Sequence, residues 1–441
     1  MFSKIIKINK IYSLLVYFIP YSLIAGHFFA DLNITLLGLI FILKLIVNKD
    51  SLILKNKFSL IFGFFYMTLL ISSLLSNNIF LSLESSLFYF RFFFYSMAIY
   101  YGLKHNIFIP KYLLYNFLFV ISVLLFDGYY QYFSGFNLLN YKWDGDRLSG
   151  LFGKEKILGS FLSRVLPFTL AIIFAMHKNK LLVYYSLIIL VASDVLIVIS
   201  GDRAAAFYLL FSTLIIIILI QRFKYLRLFS FMLSLILVYL IIMFSDQVKD
   251  RIINKTLNEI VVKDNPIQEP QTPDSQTKDN RVNNSYNLFN KIYFFTQTHT
   301  NYAKVSLKMF FENPYIGVGP KLYRFECKNS KYFIEDKQYC NTHPHNTYLQ
   351  LLAETGIIGF SFIFIFLLWI IKNLFYQLYS ILILKKYYFS DYLICIFVSI
   401  LISLFPIIPS GSFFNQWLNV IYYLPIGFLL YEFDNNKSFL K

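Results

Sequence analysis

Apolar runs of about twenty residues recur from one end of this chain to the other, each near the length that a bilayer requires of a helix. Lipid offers backbone groups no partner, so only helices and closed barrels cross it, and runs of this length select the helix. Of the 441 residues, 57% are hydrophobic and 20% aromatic, more apolar surface than a water-soluble domain of this size can hide. The chain therefore reads as an all-α polytopic membrane protein. About twelve transmembrane helices are expected, over 11–30, 33–47, 58–76, 80–102, 112–133, 156–176, 181–199, 204–220, 228–245, 356–371, 391–408 and 413–431.

The formal charge of +16 would suit nucleic acid if the basic residues were massed. They fall instead in small clusters between the apolar runs, which excludes a nucleic-acid partner and points to the bilayer. Basic residues mark the amino terminus, 48–57, 104–111, 177–180, 221–227 (Arg222, Lys224, Arg227), 372–390 and the carboxyl tail. The short loops 31–33, 76–79 and 409–412 carry neither Lys nor Arg. By the positive-inside rule both termini are cytoplasmic, while 134–155, 200–203 and 246–355 face outward. The run after Lys4, Lys7 and Lys10 is followed by no cleavage site and reads as a span, not a signal peptide.

Three regions follow: a membrane domain over 1–245 with about nine spans, a periplasmic loop domain over 246–355, and the last three spans with a cytoplasmic tail over 356–441. Within the loop domain, about 259–285 is rich in Pro, Gln, Asn, Asp and Thr and reads as a flexible insertion. Residues 286–355 regain helical spacing of apolar residues and are expected to be ordered. Cys327 and Cys340 share this segment, and in an oxidising compartment a disulfide between them leads. Zinc binding with His343 or His345 competes, at a spacing that matches no common structural zinc pattern. Cys395 lies in a span and reads as core filler.

Charges in or beside a membrane are costly, which makes each a functional candidate. "SGDRAAAF" sets Asp202 and Arg203 at a helix start; Arg203 reads either as an anion contact or as a snorkelling arginine paired with Asp202. Arg164 lies several residues inside the sixth span, where an anion pocket explains it better than snorkelling. Arg147, in "WDGDRLSGLFGKEK", faces the same side. A guanidinium matches phosphate oxygens as a planar fork, so several on one face suit a lipid-linked diphosphate. Glu84 and Arg91, seven apart in the fourth span, suit an internal ion pair or helix packing.

Two histidines open "NTHPHNTYLQLLAETGIIGF" over 341–360. Asn346 is a natural helix cap, Pro344 favours the first turn, and Gly356 suits a break before the next span. His345 then sits at a helix amino end, where the dipole keeps the ring neutral and competent as a general base. The plainer alternative is that His343 and His345 only satisfy loop backbone groups. "NPYIGVG" reads as a turn whose two glycines need special backbone angles.

The pattern of His345 and Asn346, nine residues, then Gly356-Ile357-Ile358-Gly359 resembles the signature of the O-antigen ligase and polymerase family of bacterial inner-membrane glycosyltransferases. "FENPYIGVG" resembles its Asn-Pro-x-x-Gly-x-Gly element, and "SGDRAAAF" and "DRLSGLFG" its arginine-bearing external segments. The resemblance implies glycan transfer from an undecaprenyl-diphosphate carrier to an acceptor hydroxyl at the periplasmic face of the inner membrane, by inverting chemistry that needs no metal and no cofactor. The acceptor is lipid A-core in ligases and another carrier-linked repeat unit in polymerases. His345 corresponds to the base and Arg203 to the diphosphate contact, with Arg147 and Arg164 as further contacts. His299, His343, Asn346 and Arg281 stand as candidates for acceptor contact or support. A transporter or flippase for an anionic lipid or solute would explain the spans and charges equally well, but not the His-Asn element at a fixed distance from two glycines.

Overall fold

The computed structural model describes residues 2–176, 180–250, 297–334 and 339–435. Among them the regular structure is helical, apart from one antiparallel bridge between Phe136 and Lys142. Among the described residues, seven helices are long and apolar enough to cross a membrane. They are α1 (Phe2–Ala25), α2 (His27–Asn48), α3 (Lys57–Leu74), α6 (Pro110–Ser134), α7 (Leu158–Ala175), α10 (Lys224–Phe244) and α12 (Thr347–Leu382). The others are α4 (Ile79–Ser86), α5 (Phe90–Lys104), α8 (Lys180–Ile199), α9 (Arg203–Leu219), α11 (Gln297–Glu312), α13 (Asp391–Ser403) and α14 (Gln416–Asn435). The chain is a polytopic membrane protein.

Helix α7 runs through the middle, almost wholly enclosed, against α13, α8, α9 and α6. A second packing centre joins α5 to α14 and α2. There Gly427 lets α14 approach so closely that a Cβ would stand 2.6 Å from Ile99 Cβ and 2.7 Å from the Ser96 carbonyl oxygen. Membrane helices pack through small residues in this way because lipid gives them no hydrophobic drive toward one another.

Polar contacts sort the loops into two groups at opposite ends of the helices. In one group, Ser72 Oγ donates to the Ile316 carbonyl at 2.6 Å, Leu148 N to the Ser200 carbonyl at 3.0 Å, and Ser410 N to the His345 carbonyl at 2.8 Å. In the other, His105 faces Asp50 at 3.1 Å, Lys104 pairs with Asp434 at 2.9 Å, and Asp391 accepts from Gln221 N and Arg222 N at 2.7 and 2.9 Å. The first group joins the Arg147 loop, the start of α9, the 313–326 segment and the histidine-bearing segment; the second joins the loops that carry Lys104, His105 and Arg222.

Three local features differ from the sequence expectation. The expected span over 80–102 is two helices, α4 and α5, separated by a turn at 87–89. No Pro or Gly marks the break. It follows from side-chain demand: Ser82 Oγ donates to the Pro320 carbonyl at 3.1 Å and lies 2.9 Å from Ser73 Oγ, tying α4 to the 313–326 segment. Arg91 pairs with Asp31 at 2.7 Å and not with Glu84. Helix α12 continues to Leu382, through residues expected to form a loop, and is interrupted at Gly356, where φ is 62° and ψ −167°.

The third difference concerns charge. Arg227, counted above among the residues of a basic cytoplasmic loop, points into the bundle with 2% exposure. Its guanidinium donates to both oxygens of Asp194 at 2.6 and 3.0 Å and to Thr213 Oγ1 at 2.6 Å, while Ser234 Oγ donates to the same carboxylate at 3.2 Å. This fork fixes the register of α8, α9 and α10. Removing one partner leaves a buried charge unmatched, so Asp194→Ala should destabilise the detergent-solubilised protein by about 3–5 kcal/mol. Replacing both residues by apolar ones of similar volume should recover most of that loss in a thermal unfolding measurement.

Candidate active site

The site is built on the start of α12. Asn346 caps it, its side-chain oxygen accepting from Tyr348 N at 3.0 Å and Leu349 N at 3.1 Å, while its Nδ2 donates to the Pro406 carbonyl at 2.7 Å. Thr347 N donates to Ser410 Oγ at 3.1 Å. The helix end is thus stitched to the 404–412 loop on both sides of the cap. His345, just before it, has a left-handed φ of 53°, a conformation that His tolerates better than branched residues and that sites of function collect.

One helical stretch further on, two glycine-containing elements interlock by their backbones. Val318 N and Gly319 N donate to the carbonyls of Ala353 and Glu354 at 2.9 and 3.0 Å, and Ile357 N donates to the Pro314 carbonyl at 2.8 Å. A Cβ on Gly356 would lie 2.3 Å from the Tyr315 carbonyl carbon, and one on Gly317 would lie 2.3 Å from the Glu354 carbonyl carbon. Both positions also have positive φ. The glycines of "NPYIGVG" and "GIIG" are therefore the two halves of one joint. Glu354, with 0% exposure, completes it: its carboxylate accepts from Tyr323 N at 3.0 Å and from Gln350 Nε2 at 2.9 Å.

That joint turns α11 back along α12 and brings His299 and Tyr302 beside His345. The ring centroids of His299 and His345 are 5.9 Å apart, those of Tyr302 and His345 5.6 Å, and those of His343 and His345 4.2 Å. A small open depression lies here, lined by His299, His345, Asn346 and Leu349 with Pro344, Ile407 and Pro409. Asn341 orders the ring. Its side-chain oxygen accepts from Thr342 N at 2.7 Å, so its amide N–H groups face the Tyr302 hydroxyl and His345 Nε2, each at 3.1 Å. Nε2 then carries the lone pair.

Burial first, then the neighbouring His299, lowers the His345 pKa to about 4. For His343, burial, the His345 ring and the Arg324 charge lower it to about 3, although the Ser410 backbone facing the ring favours the charged form. Both rings are neutral at pH 7, as the sequence leads one to expect. The leading cause is desolvation, where the sequence argument invoked the helix dipole.

The arginines gather at the same end of the bundle. Asp202 caps α9, accepting from Ala204 N and Ala205 N at 3.1 and 3.3 Å, and Arg203 is the first residue of that helix. The hydrogen bond from Leu148 N to the Ser200 carbonyl brings the Arg147 loop against it. Gly159 packs on Ser200 and Asp202, so α7 meets α9 at this corner. Arg164 is enclosed, at 4% exposure; it donates to the Ser160 carbonyl at 3.0 Å and lies 4.8 Å over the Tyr208 ring. From the corner, Phe207 and Phe211 reach Phe405 at centroid distances of 5.2 and 4.8 Å, one residue from the carbonyl that Asn346 binds. The arginines are absent from the lining of the histidine depression.

Cys327 and Cys340 are bonded to each other, with Cα atoms 5.3 Å apart, and tie the turn at 323–326 to the segment leading into His343. Arg281, the expected insertion over 259–285 and residues 286–296 lie outside the described residues. Among the described residues, no three His, Cys, Asp or Glu are grouped to hold a metal ion. Sequence reasoning missed Tyr302, Arg324, Asn341 and Glu354. Only Glu354 left a signal, as an acid between the histidine and the glycines.

A helical membrane bundle that holds a neutral imidazole over an open depression, with guanidinium groups at the same end, has the equipment of an integral-membrane glycosyltransferase. Residues 185–364 match the family model described as O-Antigen ligase, and this part of the chain is an O-antigen ligase family domain. The protein is therefore an enzyme of glycan transfer. The match takes in Arg203, the 313–319 element and the stretch from His345 to Gly359, while Arg147 and Arg164 precede it. No curated protein matches the chain closely enough to count as a relative.

Because the joint has no room for a side chain and needs positive φ, Gly356→Ala should cost at least about 1–3 kcal/mol of stability and should lower activity further by displacing His345. Measured transfer per folded molecule, against thermal stability, separates the two effects. With His345 as the base, the acid limb of the pH profile of kcat/KM should fall near pH 4, since an imidazole accepts a proton only when unprotonated and burial lowers this one to about 4. A limb at the ordinary histidine pKa of about 6.5 would show that the ring titrates as if solvated.

Proposed function

We propose that this enzyme is an O-antigen ligase, which transfers an oligosaccharide from an undecaprenyl-diphosphate carrier to a hydroxyl of lipid A-core at the periplasmic face of the bacterial inner membrane. About twelve spans, cytoplasmic termini and a periplasmic 246–355 segment are the topology this requires, and the charge pattern of the loops supports it. The observation that carries the proposal is His345: a neutral ring with its lone pair on Nε2, opening on a depression.

In this mechanism the acceptor hydroxyl replaces the Asn341 amide at Nε2. The imidazole takes the hydroxyl proton as the oxygen bonds to the anomeric carbon, and the bond from that carbon to the diphosphate oxygen breaks on the opposite face. The configuration inverts. Undecaprenyl diphosphate leaves with the electron pair, and Arg203, with Arg147 from the adjoining loop, stabilises the charge that develops there. Arg164, enclosed against Tyr208, holds the corner together and adds positive potential from behind. His299 closes the other wall of the depression.

Replacing His345 with Ala should lower kcat by about 10²–10⁴-fold without removing the protein from the membrane. Arg203→Lys should impair transfer well beyond what loss of an anchoring residue produces, because a point charge cannot reproduce the fork. Both are read by reconstituting the protein with a carrier-linked glycan and lipid A-core and scoring the glycosidic product. In a deletion strain, loss of every long chain from the core identifies a ligase. Core bearing a single repeat would identify a polymerase.

A further inference from the structure

A single amide side chain closes the loop that carries Arg147. Gln131, in the last turn of α6 and with 0% exposure, uses every hydrogen-bonding position it has. Its Oε1 accepts from Ser149 N at 3.0 Å and from Gly150 N at 2.8 Å, and its Nε2 donates to the Tyr141 carbonyl and to Ser149 Oγ, each at 3.2 Å. The pattern fixes which way round the amide sits, because turning it over would set its N–H groups against two backbone N–H groups. The stretch from Tyr141 to Ser149 is thus pinned at both ends by one residue of the bundle, and Arg147 lies between the pins.

Asn137 braces the same loop from its other limb. Its side-chain oxygen accepts from Leu139 N at 3.0 Å and Tyr141 N at 2.8 Å, and its Nδ2 donates to the Gly150 carbonyl. Within the pinned stretch, Asp144 Oδ1 accepts from Asp146 N at 3.0 Å, and Lys156 pairs with Asp144. Leu148 N then reaches the Ser200 carbonyl at 3.0 Å, just ahead of the Asp202 cap and Arg203. Without the Gln131 amide, Ser149 N and Gly150 N would be buried donors with no acceptor, so the loop would leave this shape. A residue shut inside the bundle thereby sets where the backbone of Arg147 stands against the start of α9.

We infer that Gln131 is a positioning residue for the transfer reaction: it holds the Arg147 loop against α9 so that Arg147 and Arg203 act on one diphosphate. The inference rests on the role proposed above for Arg147 at the leaving diphosphate. It adds that the donor side of the site is shaped from within α6, by an uncharged residue that does not touch substrate.

The full chain, reconstituted in phosphatidylethanolamine–phosphatidylglycerol vesicles, should be assayed for transfer from a carrier-linked glycan to lipid A-core. Four forms are compared per folded molecule: the parent, Gln131→Ala, Arg147→Gln and the double variant. Gln131→Ala should lower kcat/KM for the donor by about tenfold or more and leave the acceptor KM unchanged. Arg147→Gln should lower it comparably, and adding Gln131→Ala to Arg147→Gln should cost little more, because the two act through one group. A residue that only holds the fold together would give equal losses with and without Arg147, and that result overturns the inference. So does a donor kcat/KM that Gln131→Ala leaves unchanged. A parent-like Arg147→Gln also overturns it, while leaving His345 and Arg203 in their proposed roles. If Gln131→Ala does not accumulate, Asn137→Ala goes through the same cycle: a loss that vanishes in the Arg147→Gln background supports the positioning role, and any other result removes it. Failure of the parent to glycosylate any lipid A-core overturns the proposed function itself, and this inference with it.

Discussion

The interlocked backbones of 313–319 and 353–358 are the contact on which the rest of the site depends. Backbone-to-backbone packing at this distance leaves no room for a Cβ on either side, which is why Gly317 and Gly356 face each other across it. The joint breaks α12 while keeping its hydrogen bonds satisfied through Pro314 and Tyr315, the remedy required where helix geometry fails near a membrane. It also sets the angle at which α11 leaves, and so decides that His299 and Tyr302 meet His345. Ser72, bonded to the carbonyls of Ile316 and Glu354, ties the same joint to α3.

Neutral histidines and charged arginines at one end of a protein make opposite demands on their surroundings. Burial penalises a charged imidazole, and the three clustered rings penalise it further by mutual repulsion. A guanidinium stays charged under any such penalty and needs partners instead. The fold separates the two. His299 and His345 line a depression between α11, α12 and the 406–409 loop, and Arg203 opens the capped α9, from which Phe207 and Phe211 reach Phe405. The neutral rings are thereby kept at the same end of the bundle as the arginines, in a depression that no arginine lines.

Much of this was legible along the chain. Helical spans follow from run length. The cap at Asn346, the break at Gly356 and the helix start at Arg203 are local features, decided by residues within a turn of one another, and each appears where the residues place it. The division of 79–104 into two helices was not legible, since no Pro or Gly announces it and the cause is a serine reaching a carbonyl far along the chain. Arg227 misled for the same reason. Beside Arg222 and Lys224 it looks like a loop charge, and only Asp194, thirty-three residues earlier, turns it inward.

By itself, then, the sequence determined the helical membrane class, the caps and breaks of individual helices, and the residue types able to take a proton or hold a diphosphate. All of these depend on periodicity and on neighbours in the chain. Tertiary structure alone decided which histidines share a pocket, that desolvation outweighs the helix dipole in keeping them neutral, and that Glu354 belongs to the joint that positions them. Those outcomes depend on burial and on contacts between distant segments, because the free energy of a charge or an unpaired donor is set by what surrounds it in space.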